Sequence, residues 1–469
     1  MKEHDRVIYI MRKDFRIHDN PALFEASKHK NTYILYIYDP IRERIGSAKK
    51  WWLHHALVDI KQKLGKLNGK LIIKKGCYEQ EIKSFIKETE AHTIYWNRIY
   101  DPYTYNRDII LANELSQKGI NIKTYEGTLL LPPWTIKNSK NEPYKVFTPF
   151  YKQFFRENIP KCVPSIQKIY HETDREIVSL DVSDLNLLPT IPWTRGFHVF
   201  DPTEDKALKM AEVFIKNNLS LYKQHRDYPY LEGCSTLSPY ISFGQLSVRR
   251  LWHQINQFDH DFISSEFLRQ LVWREFTYHT LMTEPHMEHE PLNSKFLSFQ
   301  WEDDDFLYKQ WCRGRTGYPI VDAGMRELWE TGMMHNRVRM ITASFLTKHL
   351  LMDWRKGATW FFDTLLDADV ANNSFGWQWV AGTGRDASPY FRIFNPMLQS
   401  KKFDPKGEYI KKWIPELTLL PERYVHEPWT APSSLLKDAG IELEKDYPLP
   451  IIDHHTARAR ALNRYNEIK

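Results

Sequence analysis

Five short runs within residues 1–130 set the folding problem this chain has to solve. RVIYIM, TYILYIY, KLIIKK, HTIYW and INIKTY are apolar and rich in β-branched or aromatic residues. They alternate with stretches of helical spacing such as SAKKWWLHHALVDIKQKL and CYEQEIKSFIKE. Strands separated by helices of about 10–15 residues read as βαβ units around a parallel sheet. Residues 1–130 are therefore expected to form an α/β domain with a Rossmann-like sheet. The first strand–helix junction, IMRKDFRIHDNPAL, contains no glycine. A dinucleotide pyrophosphate needs close backbone approach at that turn, so a GxGxxG-type cofactor is not expected there.

The pattern changes twice further on. Residues 131–200 mix Pro, Ser, Asn and short polar runs (LPPWTIKNSKNEP, CVPSIQK, LNLLPTIPW), which reads as a connector over the surface rather than a packed domain. From 201 to 469 helical periodicity takes over, in AEVFIKNN, LSVRRLWHQI, FLRQLVWREFTYHTL, DAGMRELWETG, RVRMITASFLTKHLLMDW and GATWFFDTLL. A larger, all-helical domain is expected there. No internal repeat or low-complexity tract interrupts it.

Composition narrows the function classes. With 42% apolar and 26% charged residues, the chain is neither disordered nor fibrous. No apolar run approaches the roughly 18–20 residues of a membrane span. The opening MKEHDRVIYIMRKD has charges on both sides of its apolar run, unlike a signal peptide. Cys77, Cys162, Cys234 and Cys312 form no CxxC pair, so no disulfide framework, zinc site or iron–sulfur site is indicated. A reducing, cytoplasmic compartment fits, and the net charge of +6 is mild. The unusual figure is 14% aromatic residues, with half of the tryptophans between Trp273 and Trp379. An aromatic helical core would use them, and so would stacking on a flat ligand or electron transfer.

Three helical-domain segments have compositions that point to chemistry. LYKQHRDYPYLEGCSTLSPYISFG carries Tyr222, Arg226 and the small-polar run Gly233 to Ser238. Hydroxyls and free backbone N–H groups at a helix start make a phosphate cradle, although an ordinary N-cap at Ser235 or Ser238 uses the same residues. In GMMHNRVRMITASFLTKHLLMDW, Asn336, Arg339 and Met340 share one helix face, and an interior Arg needs an acid partner. DTLLDADVANNSFGWQWVAGTGRDASPYFRIFNP offers Asp367 and Asp369, then Asn373, Trp377 and Trp379. Paired carboxylates serve acid–base work or metals. No His cluster accompanies them, so no metal is expected, and Arg–Asp structural pairing is the plainer alternative.

WREF, KQWCRGRTGYPIVDAGMREL, MHNRVRMITASFLTKHLLMDW, DADVANNSFGWQWVAGTGRDASPYFRIFNP and KFDPKGEYIKKWIPEL resemble the flavin-binding domain of the DNA photolyase/cryptochrome family. MRKDFRIHDNPAL resembles that family's N-terminal antenna domain, and the likeness extends over residues 6–450. It is nearest to the microbial photolyases that act on cyclobutane pyrimidine dimers.

The resemblance implies a photolyase architecture: an antenna domain at 1–130, a connector at 131–200 and an all-helical catalytic domain at 201–469 that binds FAD. Tyr222 and the run Cys234, Ser235, Thr236, Leu237 and Ser238 would hold the FAD phosphates and ribityl chain. Cys234 stands where relatives often have Thr. Phe267 and Arg274 would also contact the cofactor. Asp367 and Asp369 would meet the isoalloxazine edge and the ribose, with Arg339 balancing their charge and Asn373 near the flavin N5. Trp377, Trp354 and Trp301 match the family's electron-transfer chain.

The implied substrate is UV-damaged DNA, reached by flipping the lesion out of the duplex. Trp273 and Trp379 would pack against it, and Gln270, Asn336 and Met340 would line the pocket. Arg226, Arg337 and Arg392 would meet phosphates. Gln270 stands where many dimer photolyases carry Glu, and (6-4) photolyases often have Gln there. The latter also use two histidines, which Asn336 and Met340 replace here. Dimer repair by a monomer is thus expected over (6-4) repair or blue-light signalling. The resemblance leaves the antenna open between folate, deazaflavin, another flavin and none; the folate-binding glutamate is replaced near Thr104, and Trp51–Trp52 with His54–His55 resembles another subgroup.

Overall fold

In a computed structural model, which describes residues 6–171, 177–258 and 265–469, the five expected strands form one sheet. They are β1 (Arg6–Met11), β2 (Asn31–Tyr38), β3 (Leu71–Lys75), β4 (Thr93–Asn97) and β5 (Asn121–Tyr125). The sheet is parallel throughout, in the order β3-β2-β1-β4-β5. Helices α1 (Pro21–Ala26), α2 (Ser47–Lys66), α3 (Tyr78–Thr89) and α4 (Pro102–Gln117) fall between successive strands. Local signals set their starts. Asn20 caps α1 through the Leu23 N–H and Asp101 caps α4 through the Thr104 N–H, each followed by Pro in the first turn.

The strand order reverses between β1 and β4, so a crevice opens at their carboxyl ends. It is filled by the protein's own polar groups. Tyr9 donates to Asp14 at 2.6 Å, Asn97 donates to both Asp14 (2.6 Å) and Asn20 (2.7 Å), and Asn20 donates back to the Tyr9 hydroxyl at 2.9 Å. Buried Arg12 pairs with Asp108 and donates to the Asn97 carbonyl. The cavity left beside Lys13, Arg16, Tyr100 and Gly127 measures about 20 Å³, room for a water but not for a ring system.

The chain divides into two compact units that interleave along the sequence. The first takes the chain up to Ile191 together with Phe200–Leu219 and Ser235–Pro285. The second takes Pro192–Val199, Ser220–Cys234 and His286–Lys469. This differs from boundaries at 130 and 200, for a physical reason. Helices Val248–Phe258 and Glu266–Thr283 are tied to the sheet domain by buried polar contacts. Arg249 pairs with Asp19 at 2.7 Å, and the Glu275 carboxylate accepts from the Leu130 N–H at 2.9 Å. Gly244 adopts φ +67° where a Cβ would sit 2.0 Å from the Lys13 carbonyl, so only glycine allows that approach.

The connector expectation also needs correcting. Residues 147–154 form a helix whose Phe147, Phe150 and Phe154 are buried, and Phe150 packs on Phe276 at 5.0 Å. FTPFYKQF is therefore part of a core, not a surface strap.

The second unit is helical. Helices Pro319–Thr331, Asn336–Ser344, Trp354–Thr364 and Val370–Ala381 share a core that includes Trp311, Val338, Phe361, Trp377 and Tyr409. RVRMITASFLTKHLLMDW is not one helix. The α-helix ends at Ser344, a π-helical turn covers Phe345–His349, and Leu351 turns the chain with φ +54°. Among the described residues no helix is long and apolar enough to cross a membrane.

Candidate active site

The second unit gathers its polar groups where helices Asn336–Ser344 and Val370–Ala381 begin. His335 caps the first of these: its Nδ1 accepts from the Arg337 N–H at 3.2 Å. An accepting Nδ1 requires a lone pair, and burial pushes the imidazole down to about 4, so the ring is neutral. One turn on, Arg339 is fully oriented. Its Nε donates to the Met334 carbonyl at 2.7 Å, and its two Nη atoms grip Asp367 in parallel at 3.1 and 2.9 Å. The Asp367 side chain is only 7% exposed, so the bidentate pair is what makes its charge tolerable there.

Asp369 is the N-cap of Val370–Ala381 and accepts from the Asn372 N–H at 2.9 Å. The two acids therefore have separate tasks and are not a catalytic couple. Asn373, in the next turn, gives one amide hydrogen to the Ala358 carbonyl at 2.9 Å, which pins it to helix Trp354–Thr364. Gly376 shares its face, and a Cβ there would meet nothing within 4 Å. Gly376 itself is exposed. Among the described residues no group of three or more His, Cys, Asp or Glu is placed to hold a metal.

Behind this face lies the tryptophan core. Trp377 is buried, and a Cβ at Gly357 would strike its ring at 2.1 Å. Its ring lies edge-on to Phe361 (4.9 Å) and Trp311 (6.2 Å), two neighbours that the sequence reading did not single out. Trp354 is buried, and Trp301 packs on Phe299 at 4.4 Å and is half-buried. Tyr222 lies under the Arg226 guanidinium at 5.3 Å. Burial holds the Cys234 thiol up at about 11, so it is a protonated, inert group.

Other second-unit expectations fare differently. Asn336 and Arg392 are exposed, and Trp379 and Met340 are half-buried. Arg337, expected at a phosphate, is taken up by Asp227 at 2.9 Å and lies over Phe403 at 4.3 Å.

The remaining predicted residues stand in the first unit. Neither Ser235 nor Ser238 is a side-chain N-cap: the helix Ser238–Ser242 starts from buried Leu237, and Thr236 before it has φ +52°. Phe267 packs on Phe214 at 4.6 Å, and Arg274 pairs with Glu275 at 3.2 Å. Gln270 and Trp273 share a face of the same helix. Phe147 covers one face of Trp273 with a ring separation of 3.5 Å and a 6° angle. The Phe147, Phe150, Phe154 spacing in the sequence is helical and was the available signal for it. Trp51 and Trp52 are both buried, and the Trp52 indole donates to Gln245 at 2.7 Å.

Comparison with known proteins bears on these groups. Residues 7–165 match the family described as DNA photolyase, and residues 267–467 match the FAD binding domain of DNA photolyase. A deoxyribodipyrimidine photo-lyase of Agrobacterium fabrum is 44% identical over 99% of this chain and 98% of its own length. Cryptochrome-2 of Arabidopsis thaliana is 35% identical over 100% of this chain and 80% of its own. The crystal structure of a bacterial class III photolyase from Agrobacterium tumefaciens superimposes with a TM-score of 0.96 at 42% identity, covering 100% of this chain and 98% of that one.

Proposed function

The chain belongs to the DNA photolyase/cryptochrome family, and we propose that within it this protein is a light-driven enzyme that splits cyclobutane pyrimidine dimers in DNA. When bound, reduced and excited by light, FAD supplies the electron that opens the cyclobutane ring. The second unit's residues suit that cofactor. Asp367, Arg339, Asp369 and Asn373 would hold its ring system, and Tyr222 and Cys234 its phosphate end. Arg339 cancels the Asp367 charge, while Asn373 keeps a second amide hydrogen and its carbonyl oxygen for a planar, polar-edged group. Gly376, three residues on, adds no side chain of its own, and a Cβ there would meet nothing within 4 Å. The Trp301, Trp354 and Trp377 indoles are assigned to electron transfer.

DNA meets half-buried Arg226 and exposed Arg392, whose contacts position the duplex without reading its sequence. Gln270, Trp273, Asn336, Met340 and Trp379 keep the lesion-facing roles that the resemblance implies for them.

The observation that carries the choice of lesion is His335. A (6-4) lesion needs a proton delivered, and neither Asn336 nor Met340 titrates. His335, the histidine beside them, spends Nδ1 on a helix cap and stays neutral to about pH 4. A cyclobutane dimer needs only an electron. Illumination of the reduced protein with defined oligonucleotides tests the reading. Restored cyclobutane dimers with untouched (6-4) lesions are expected. Restoration of the (6-4) substrate alone would overturn the lesion assignment, and restoration of neither would make the protein a photoreceptor of the cryptochrome kind.

A further inference from the structure

Gln270 does not stand free on its helix. Its Nε2 donates to the Glu266 carboxylate at 2.9 Å and lies 3.4 Å from the Glu266 carbonyl, one turn back. A carboxylate only accepts, so it binds the nitrogen end of an amide and repels the oxygen end. The Gln270 amide is thereby given a direction, with nitrogen toward Glu266 and carbonyl oxygen on the opposite side. Glu266 itself is half-buried, beside Tyr151, and Arg269 one turn along lies over the rings of Phe147 and Tyr151 at 5.2 and 5.3 Å. Trp273 follows Gln270 at i+3 and is held flat by Phe147, so a fixed acceptor and a fixed ring surface lie together.

We propose that Glu266 is a positioning residue that locks the Gln270 amide with its carbonyl oxygen outward, so that this wall reads an N–H donor on the pyrimidine edge. The imide N3–H of a thymine ring is such a donor. An unrestrained glutamine would accept or donate equally well and would read nothing. This inference rests on the dimer-repair reading above.

The test compares two oligonucleotides, one with a thymine dimer and one with the same dimer methylated at N3, which removes the donor. Affinity in the dark and single-turnover repair by the reduced protein are both measured. The unaltered protein is expected to bind the methylated dimer roughly tenfold more weakly or worse, because a desolvated acceptor is left unpaired. Glu266→Ala should bring the two substrates to within about threefold while the single-turnover repair rate of the ordinary dimer holds. Glu266→Gln, which preserves shape but offers both a donor and an acceptor to Gln270, should fall between and serves if the alanine variant folds poorly. In the double variant Glu266→Ala, Gln270→Glu the discrimination should return, since a carboxylate presents an acceptor whichever way it turns. A merely structural role for Glu266 would not produce that rescue. Equal binding of both dimers by an unaltered protein that repairs the ordinary one would overturn this inference alone, as would full discrimination in Glu266→Ala. Absence of any dimer repair by the unaltered protein would instead sink the functional reading and the inference with it.

Discussion

The crevice at the carboxyl ends of β1 and β4 and the helix start at Asp367–Asn373 are both dense in polar residues, but the first pairs its side chains with one another while the second leaves an amide partly unspent. In the crevice Asp14, Asn20, Asn97 and Tyr9 satisfy one another, and Arg12 spends its two Nη atoms on Asp108 and a backbone carbonyl, with its Nε left over. At the helix start Arg339 and Asp367 neutralise each other, while Asn373 spends one amide hydrogen and Gly376, three residues on, is exposed. An open α/β sheet usually binds ligands at its switch point. Here that place is closed by side chains, and the ligand-ready chemistry has moved to a helix end. Polar residues thus mark a site only where their hydrogen bonds are not already used within the fold.

The contrast can be broken by substitution, and the largest effect is expected in the closed crevice. Asp108→Ala leaves the Arg12 charge buried without its partner and should cost about 3–5 kcal/mol in urea unfolding. Flavin content of the protein that remains folded should not change. A loss below about 1 kcal/mol would mean that the crevice is open to water and the comparison is wrong.

Acid sharpens the other side. The folded His335 titrates near 4, below its ordinary 6.5, so the unfolded chain takes up the proton first. Its stabilising contribution is present above about pH 6.5 and is lost as pH falls toward 4, up to about 3 kcal/mol. His335→Asn, which can still cap the helix, should flatten that part of the stability–pH curve. An unchanged curve would show that His335 is not the titrating group.

Asp367→Asn keeps the shape but breaks the bidentate pair. A loss of about 1–3 kcal/mol is expected, together with release of flavin on gel filtration. Retained flavin would remove Asp367 from the cofactor set. Trp377→Phe should change stability by about 1 kcal/mol, since a ring is kept in the core. It should also block light-driven reduction of oxidised flavin while repair by pre-reduced protein continues; equal loss of both activities would assign Trp377 to packing or the pocket. The smallest change is expected from Arg226→Ala, which should lower the salt slope of DNA binding by about 0.9 and leave lesion preference intact.

Much of this was legible in the sequence because it is local. The five strands follow from runs of apolar and β-branched residues, and the starts of α1 and α4 from Asn20-Pro21 and Asp101-Pro102. Long motifs around Asp367 and Trp377 carried the family. What sequence could not supply was the partner of each polar group. Arg337 reads as a DNA contact until Asp227, distant in the chain, claims it. Trp311 and Phe361 become neighbours of Trp377 only when helices pack. Phe147 looked like connector because its neighbours are Pro, Asn and Lys, yet the ring it covers is 126 positions away, a numbering difference between Phe147 and Trp273.

The sequence by itself determined the secondary elements and the family, since both depend on residue type and spacing along the chain. Only the tertiary structure decided the unit boundaries, which of two similar acids pairs with Arg339, and which way the Gln270 amide points. Those are set by hydrogen bonds and burial, and a polar group's chemistry depends on what already occupies its donors and acceptors.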